Sequence, residues 1–297
     1  MSAEGSGRSG GAMTTFGARL AAAMEAHGPL CVGIDPHPSL LAAWGLPDDA
    51  SGLREFTCTV LDAVGGHVAV LKPQSALFER HGSAGIAVLE ELIAAARATA
   101  TLVILDAKRG DIGSTMAAYA DAYLRDGSPL AVDALTVSPY LGFGSLAPAV
   151  DAAAASGRGL FVLALTSNPE GAALQHARDS EGVAVAARIA AQAGELNARE
   201  LAVSGAAMGS VGLVIGATTG AAARHLGIDL GAVRGPLLAP GLGAQGAGPT
   251  ELRAVFGNAR GTVLASSSRR VLAAGPDRAS LLAAARSAAD EARSALS

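Results

Sequence analysis

Lysine is nearly missing from this chain. Of its 22 basic residues only Lys72 and Lys108 are lysines, and the other twenty are arginines. Such a bias suggests replacement by arginine wherever a solvated positive charge suffices. A surviving lysine then marks a place that needs a compact ammonium able to give up a proton. Cysteine is scarce too: Cys31 and Cys58 build no disulfide framework, which suits the cytoplasm. Cys31 lies in an apolar run and reads as a buried thiol, not a nucleophile. Aromatic residues make up only 3% of the chain, so its hydrophobic half rests heavily on alanine, with glycine abundant beside it.

No long greasy span is present. The longest uncharged stretch, 201–223, could cross a bilayer on length alone. It is broken by Gly205, Gly209, Gly212, Gly216 and Gly220 and carries Ser204, Ser210, Thr218 and Thr219. Its Gly-x-x-x-Gly spacing arises easily by chance in a glycine-rich chain. The stretch reads as a buried strand between two loops, and no membrane segment is expected. Residues 1–12 are rich in Gly and Ser, with one arginine and no apolar run, unlike a secretory signal. We read 1–13 as a disordered tail. A net charge of −4 without a basic cluster argues against a nucleic-acid surface. His27, His37, His67, His81, His176 and His225 are scattered without metal-ligand spacing, so no metal site is expected.

What the chain does have is eight short apolar runs at fairly even spacing: 29–34, 68–71, 101–105, 131–137, 160–165, 211–215, 236–239 and 262–265. Alanine-rich stretches with helical spacing lie between and after them, as at 87–98, 184–195 and 278–295. Alternating strands and helices imply a parallel sheet with right-handed crossovers. Eight repeats favour an α/β fold of one kind, a single (β/α)8 TIM barrel over 14–297. The longest connection, between the fifth and sixth strands, is expected to hold an extra helix.

Such barrels carry their sites at the C-terminal ends of the strands. Here those ends hold Asp35, Lys72, Asp106 with Lys108 and Asp111, Ser167, Pro240 and Arg269. Both lysines are among them. Asp106 and Lys108 stand two apart on a strand and so point to one face, and the adjoining second strand brings Lys72 alongside. The expected result is an alternating row of Lys72, Asp106, Lys108 and Asp111 in which each charge keeps its neighbours ionised. A purely structural ion-pair network is the plainer alternative, but burying four charges for stability alone is a poor use of them.

Asp106-x-Lys108-x-x-Asp111 followed by Ile112-Gly113-Ser114-Thr115 resembles the signature of the orotidine 5′-phosphate decarboxylases. Asp35, Lys72, Ser167-Asn168-Pro169, Pro240-Gly241, Gln245-Gly246 and Ser268-Arg269 match in order, over nearly the whole chain after the tail. Lys72-Pro73-Gln74 and Thr166-Ser167-Asn168-Pro169 look like the bacterial second subfamily. The resemblance implies conversion of orotidine 5′-phosphate to uridine 5′-phosphate and CO2 in de novo pyrimidine synthesis, with no cofactor. Lys108 is then the proton donor to C6. Asp106 and, from the second subunit of a homodimer, Asp111 crowd the substrate carboxylate. Asp35, Lys72 and Thr115, the last also across the dimer, bind the ribose. Ser167 meets the pyrimidine, with Thr166 as alternative. Gln245 and Arg269, beside Pro240, hold the phosphate, with Arg270 as alternative.

Two other readings compete. The run 241–246 fits the dinucleotide pattern Gly-x-Gly-x-x-Gly, but it follows the seventh strand, where barrels bind phosphate. Metal-dependent sister enzymes on the same barrel share Asp-x-Lys-x-x-Asp, yet they resemble one another in placing a glutamate ligand where this chain has Lys72. A charged lysine cannot ligate Mg²⁺. Every matched reactive position is kept, which also argues against a binding barrel that has lost turnover. Two side chains near these positions are expected to be bystanders: His37 as a loop histidine, and Arg109 as a solvated or interface charge.

Overall fold

The computed structural model describes residues 13–241 and 249–297, without the side chains of 249–252. The expected tail lies outside the described residues except for Met13. All eight expected strands form: β1 (Leu30–Ile34), β2 (Val70–Pro73), β3 (Leu102–Arg109), β4 (Ala134–Val137), β5 (Gly159–Leu165), β6 (Val211–Ile215), β7 (Leu237–Pro240) and β8 (Val263–Ser267). Each pairs in parallel with the next, and β8 pairs back onto β1 through Leu30 and Ala265, closing the barrel. These strands read as unbroken apolar runs because both faces are covered.

Alternation divides each strand between two cores. Leu30, Val32 and Ile34 of β1, with Val103 and Leu105 of β3, pack outward among the helices. Cys31, Val70, Ile104, Ala134, Phe161, Val214, Leu238 and Leu264 point inward and fill the lower barrel. Two residues further along, the inward positions become Gly33, Lys72, Asp106, Thr136, Leu163, Pro240 and Ser266. Charged and hydroxyl side chains therefore enter the interior within one layer, at the C-terminal end, on the side of β2, β3, β4 and β8.

The expected helical stretches fall within helices Gly82–Ala98 and Arg278–Leu296, and all but the first residue of 184–195 within Val185–Ser204. Between β5 and β6 the extra helix proves to be two short turns, Pro169–Gly171 and Ala172–Gln175; similar short helices, Pro38–Ala43 and Ser75–Glu79, follow β1 and β2. The uncharged stretch 201–223 ends one helix, forms β6 and begins helix Gly220–His225. Among the described residues no helix is long and apolar enough to cross a membrane.

A helix the sequence reading did not single out, Phe16–His27, stoppers the foot of the barrel. Thr15 caps its start, accepting from the Ala18 amide at 3.3 Å. Phe16 and Leu20 are fully buried among the inward strand residues. Phe16 meets Phe161 edge-to-face, with centroids 6.0 Å apart. It fits because residue 159 is glycine: a Cβ there would lie 2.1 Å from the Phe16 ring. Arg19 ties the helix to Asp133 and, at 2.9 Å, to the Gly157 carbonyl.

This packing predicts that Phe16→Ala lowers unfolding stability by about 3–5 kcal/mol, and Gly159→Ala by about 1–3 kcal/mol through overpacking. The double variant should lose clearly less than the sum, because the small side chain at 16 makes room for the new methyl. Denaturant titration of the three variants measures this; strict additivity would show that the two sites do not meet.

Candidate active site

The polar layer opens into a cavity of about 360 Å³ at the C-terminal end of the barrel. At its centre stands Asp106, whose carboxylate is met from four directions. Lys72 Nζ donates to Oδ2 at 2.9 Å and Gln74 Nε2 at 3.3 Å. Lys108 Nζ donates to Oδ1 at 2.5 Å, and the Thr136 hydroxyl reaches the same oxygen at 3.1 Å. Burial alone would raise the Asp106 carboxyl, but the ammonium groups of Lys72 and Lys108 overcome it and hold the pKa down at about 2. Burial likewise opposes the charge on Lys72; the carboxylates of Asp106 and then Asp35 outweigh it and lift the ammonium above its ordinary value.

Lys108 does not reach Asp106 by strand alternation alone. Its φ is +49°, a left-handed conformation that costs a residue with a side chain on the order of 1–3 kcal/mol. The pairing of β3 with β4 shifts register between Leu105 and Arg109. This bulge sets the place from which the Lys108 ammonium meets the carboxylate. Its side chain stays 45% exposed, whereas that of Lys72 is 8% exposed.

Asp35 continues β1 into the cavity wall, where its Oδ2 accepts from Ser268 Oγ at 2.5 Å. Its Oδ1 is buried without a hydrogen-bond partner among the described residues. Within one chain the charged row is thus Asp35, Lys72, Asp106 and Lys108. The expected fourth member, Asp111, does not line the cavity and accepts from the Ile112 amide at 2.8 Å. Thr115 is exposed on helix Gly113–Leu124 and also lies off the cavity.

Across the cavity stand Ser167, Pro240 and Arg269, over an apolar side formed by Leu163, Val214 and Leu238. Thr166 lines it too, but its hydroxyl donates to Asn168 Oδ1 at 2.6 Å and accepts from Gln175 Nε2 at 2.8 Å. Arg270 is turned away and ion-paired with Glu291 on the C-terminal helix. Gln245 lies outside the described residues. His37, expected as a bystander, does line the cavity mouth.

Three features escaped the sequence. Arg109 is not a solvated charge: it pairs with Glu79, donates to the Tyr123 hydroxyl at 3.2 Å and lies over the rings of Tyr119 and Tyr123. Thr136 was not singled out, although alternation along β4 places it inward. The contacts of Gln74 and Ser268 with the carboxylates depend on neighbouring strands that no local pattern identifies. Cys31 behaves as expected, fully buried beneath the row, its thiol pushed up to about 12 chiefly by burial.

Comparison with known proteins agrees with this geometry. The model of the orotidine 5′-phosphate decarboxylase / HUMPS family matches residues 28–284. The chain is 60% identical over 284 residues to the orotidine 5′-phosphate decarboxylase of Salinispora arenicola, covering 96% of this chain and 99% of that one. It is 57% identical, with the same coverage, to that of Streptomyces coelicolor. A crystal structure from Streptomyces avermitilis superposes with a TM-score of 0.90 at 56% identity, over 97% of this chain and 98% of that one. A closed parallel barrel, a paired lysine–aspartate row at its mouth and likeness over almost the full length lead to one conclusion: this chain belongs to the orotidine 5′-phosphate decarboxylase / HUMPS family.

Proposed function

We propose that the chain converts orotidine 5′-phosphate to uridine 5′-phosphate and CO2, the decarboxylation step of pyrimidine synthesis, without metal or organic cofactor. The observation that carries this reading is the unequal exposure of the two lysines on one carboxylate. Lys72 is enclosed and holds Asp106; Lys108 reaches the same carboxylate from the open side of the cavity. A substrate in the cavity meets the Lys108 ammonium and the Asp106 anion together.

The chemistry follows from that pair. Asp106, kept ionised, repels a substrate carboxylate placed beside it, and this repulsion is relieved as CO2 departs. The bond from C6 to the carboxylate breaks and its electron pair stays on C6. The Lys108 ammonium stabilises that charge and then transfers a proton to it, leaving uridine 5′-phosphate and a neutral lysine that solvent reprotonates. Asp35 Oδ1, an acceptor without a partner among the described residues, and Lys72 suit ribose hydroxyls. Ser167 serves the pyrimidine. Arg269, with Gln245, holds the phosphate, whose binding energy positions the ring. The metal-dependent alternative would put a ligand where Lys72 stands, and an ammonium is no ligand for Mg²⁺.

The active unit is proposed to be a homodimer with shared sites. Asp111 and Thr115 turn from their own cavity, and Ile112, Tyr140 and Leu141 beside them in the β3 and β4 loops are large, apolar and 62%, 73% and 52% exposed. Covering such side chains with a second copy would carry Asp111 and Thr115 to the neighbouring mouth. The two free thiols suit a reducing cytoplasm.

Wild-type protein stripped with chelator should decarboxylate orotidine 5′-phosphate fully. Lys108→Ala should lose nearly all turnover while remaining folded, and Lys108→Arg should fail as well, because guanidinium is a poor proton donor at neutral pH. Near-normal turnover in either variant, or activity that returns only with Mg²⁺, defeats the mechanism. Arg269→Ala should impair the phosphorylated substrate and leave the bare nucleoside nearly unaffected, whereas Arg270→Ala should spare both; equal damage to both substrates by Arg269→Ala moves the phosphate elsewhere. Finally, Lys108→Ala and Asp111→Ala chains, dissociated and reassociated together, should regain about a quarter of wild-type activity, since half the dimers are mixed and each mixed dimer has one intact site. Verified exchange without recovery would place Asp111 in its own chain's site.

A further inference from the structure

The bulge that delivers Lys108 needs something to fill it, and a single hydroxyl does so. Thr136 is 1% exposed on the inward face of β4, directly behind the turn of β3. Its Oγ1 accepts from two successive backbone amides, Ala107 at 3.0 Å and Lys108 at 2.9 Å. It lies 3.1 Å from Asp106 Oδ1, and only more distantly, at 3.4 Å, from the Leu105 carbonyl. A hydroxyl has two acceptor lone pairs and one proton. All three are used here, on three consecutive residues of β3.

We propose that Thr136 is a positioning residue for the reaction: its hydroxyl holds the β3 bulge in shape and thereby fixes where the Lys108 ammonium stands against Asp106. Two amides that point at one oxygen cannot both continue the ladder to β4, which is why the register slips there. Without that acceptor, two partly buried N–H groups lose their partner and the left-handed backbone at Lys108 loses the contact that stabilises it. The nearest way to satisfy those amides is to return β3 to regular pairing, which keeps Lys108 on the inward face but straightens the strand and draws its ammonium away from Asp106 along the chain. Valine has the shape of threonine without the oxygen, and serine keeps the oxygen without the methyl. The pair separates hydrogen bonding from packing. The inference rests on the decarboxylase reading for its kinetic consequence but not for its structural one.

The scarcity of lysine provides a readout independent of turnover. Protein labelled only at the lysine ε-carbon shows two side-chain resonances, assigned by comparison with Lys108→Ala. In Thr136→Val the Lys108 resonance should move while that of Lys72 stays near its wild-type position, and Thr136→Ser should restore it. In decarboxylation assays Thr136→Val should lower kcat by about 100-fold, the loss expected of an ångström-scale misplacement, with KM within about threefold because phosphate and ribose contacts persist. Thr136→Ser should regain most of the loss. Thr136→Cys, with the shape of serine but only a weakly accepting sulfur, replaces the valine variant should that chain fail to fold and is then read against Thr136→Ser. A folded variant lacking the hydroxyl, with kcat per uridine 5′-phosphate-binding site unchanged and only a lower melting temperature, overturns the proposal. An unmoved Lys108 resonance does so as well. Wild-type protein inactive toward orotidine 5′-phosphate refutes the decarboxylase reading alone, and the resonances still decide the role of Thr136.

Discussion

The site depends on one carboxylate. Asp106 is 8% exposed and would be costly to leave ionised in that position, were it not met by two ammonium groups, an amide and a hydroxyl. The four donors come from three parts of the barrel: Lys72 and Gln74 from the end of β2, Lys108 from the bulge of β3, Thr136 from β4. The carboxylate therefore joins three strands at the point where their ladders end. Its charge is also insensitive to ordinary acidity. A carboxyl held at about 2 keeps its stabilising contribution everywhere above the usual aspartate range and loses it only as pH falls through that value. Lys72, raised instead, keeps its contribution below the usual lysine range and loses it only in strong alkali. Between those limits both groups stay charged.

Burial writes the patterns that are legible in the sequence. The strands were visible because a parallel barrel strand has no wet face, so each appeared as an apolar run ended by polar residues. Their edges were less sharp. The fourth was expected from residue 131 and begins at Ala134, although Asp133 just before it already bonds the Val103 carbonyl and the Gly159 amide through its backbone. The third was expected to stop at Leu105 and runs to Arg109 through the bulge.

Within the site, the residues with distinctive chemistry could be found and those with ordinary chemistry could not. Lys72 and Lys108 stood out because they were the only lysines; Asp35, Asp106, Ser167, Pro240 and Arg269 were found from strand ends and resemblance, and all line the cavity. Threonine is common on strands, so Thr136 gave no signal until its partners on β3 were seen. Arg109 was expected as a solvated or interface charge; the solvated half fails because Glu79 and Tyr123, which no local pattern links to it, hold its guanidinium. Helix Phe16–His27 was overlooked because alanine blurs the contrast between its buried and exposed faces, which Phe16 and Leu20 alone define.

That helix has a consequence in time. It is the first described element to leave the ribosome, yet its partners come much later: Asp133 and Gly157 for Arg19, Phe161 for Phe16, and Ser210 for the Gly17 amide at 3.1 Å. The two apolar side chains that stopper the barrel share a core with Cys31, Val70 and Ile104, which emerge early, and with Phe161, Met208, Val214, Leu238 and Leu264, which follow only in the second half of the sequence. The ring itself waits longer, since β1 cannot find β8 before residue 265 has emerged. Contacts this far apart in sequence are slow to form, so the helix completes its native seat only after those late strands arrive, and part of its apolar face stays uncovered until then.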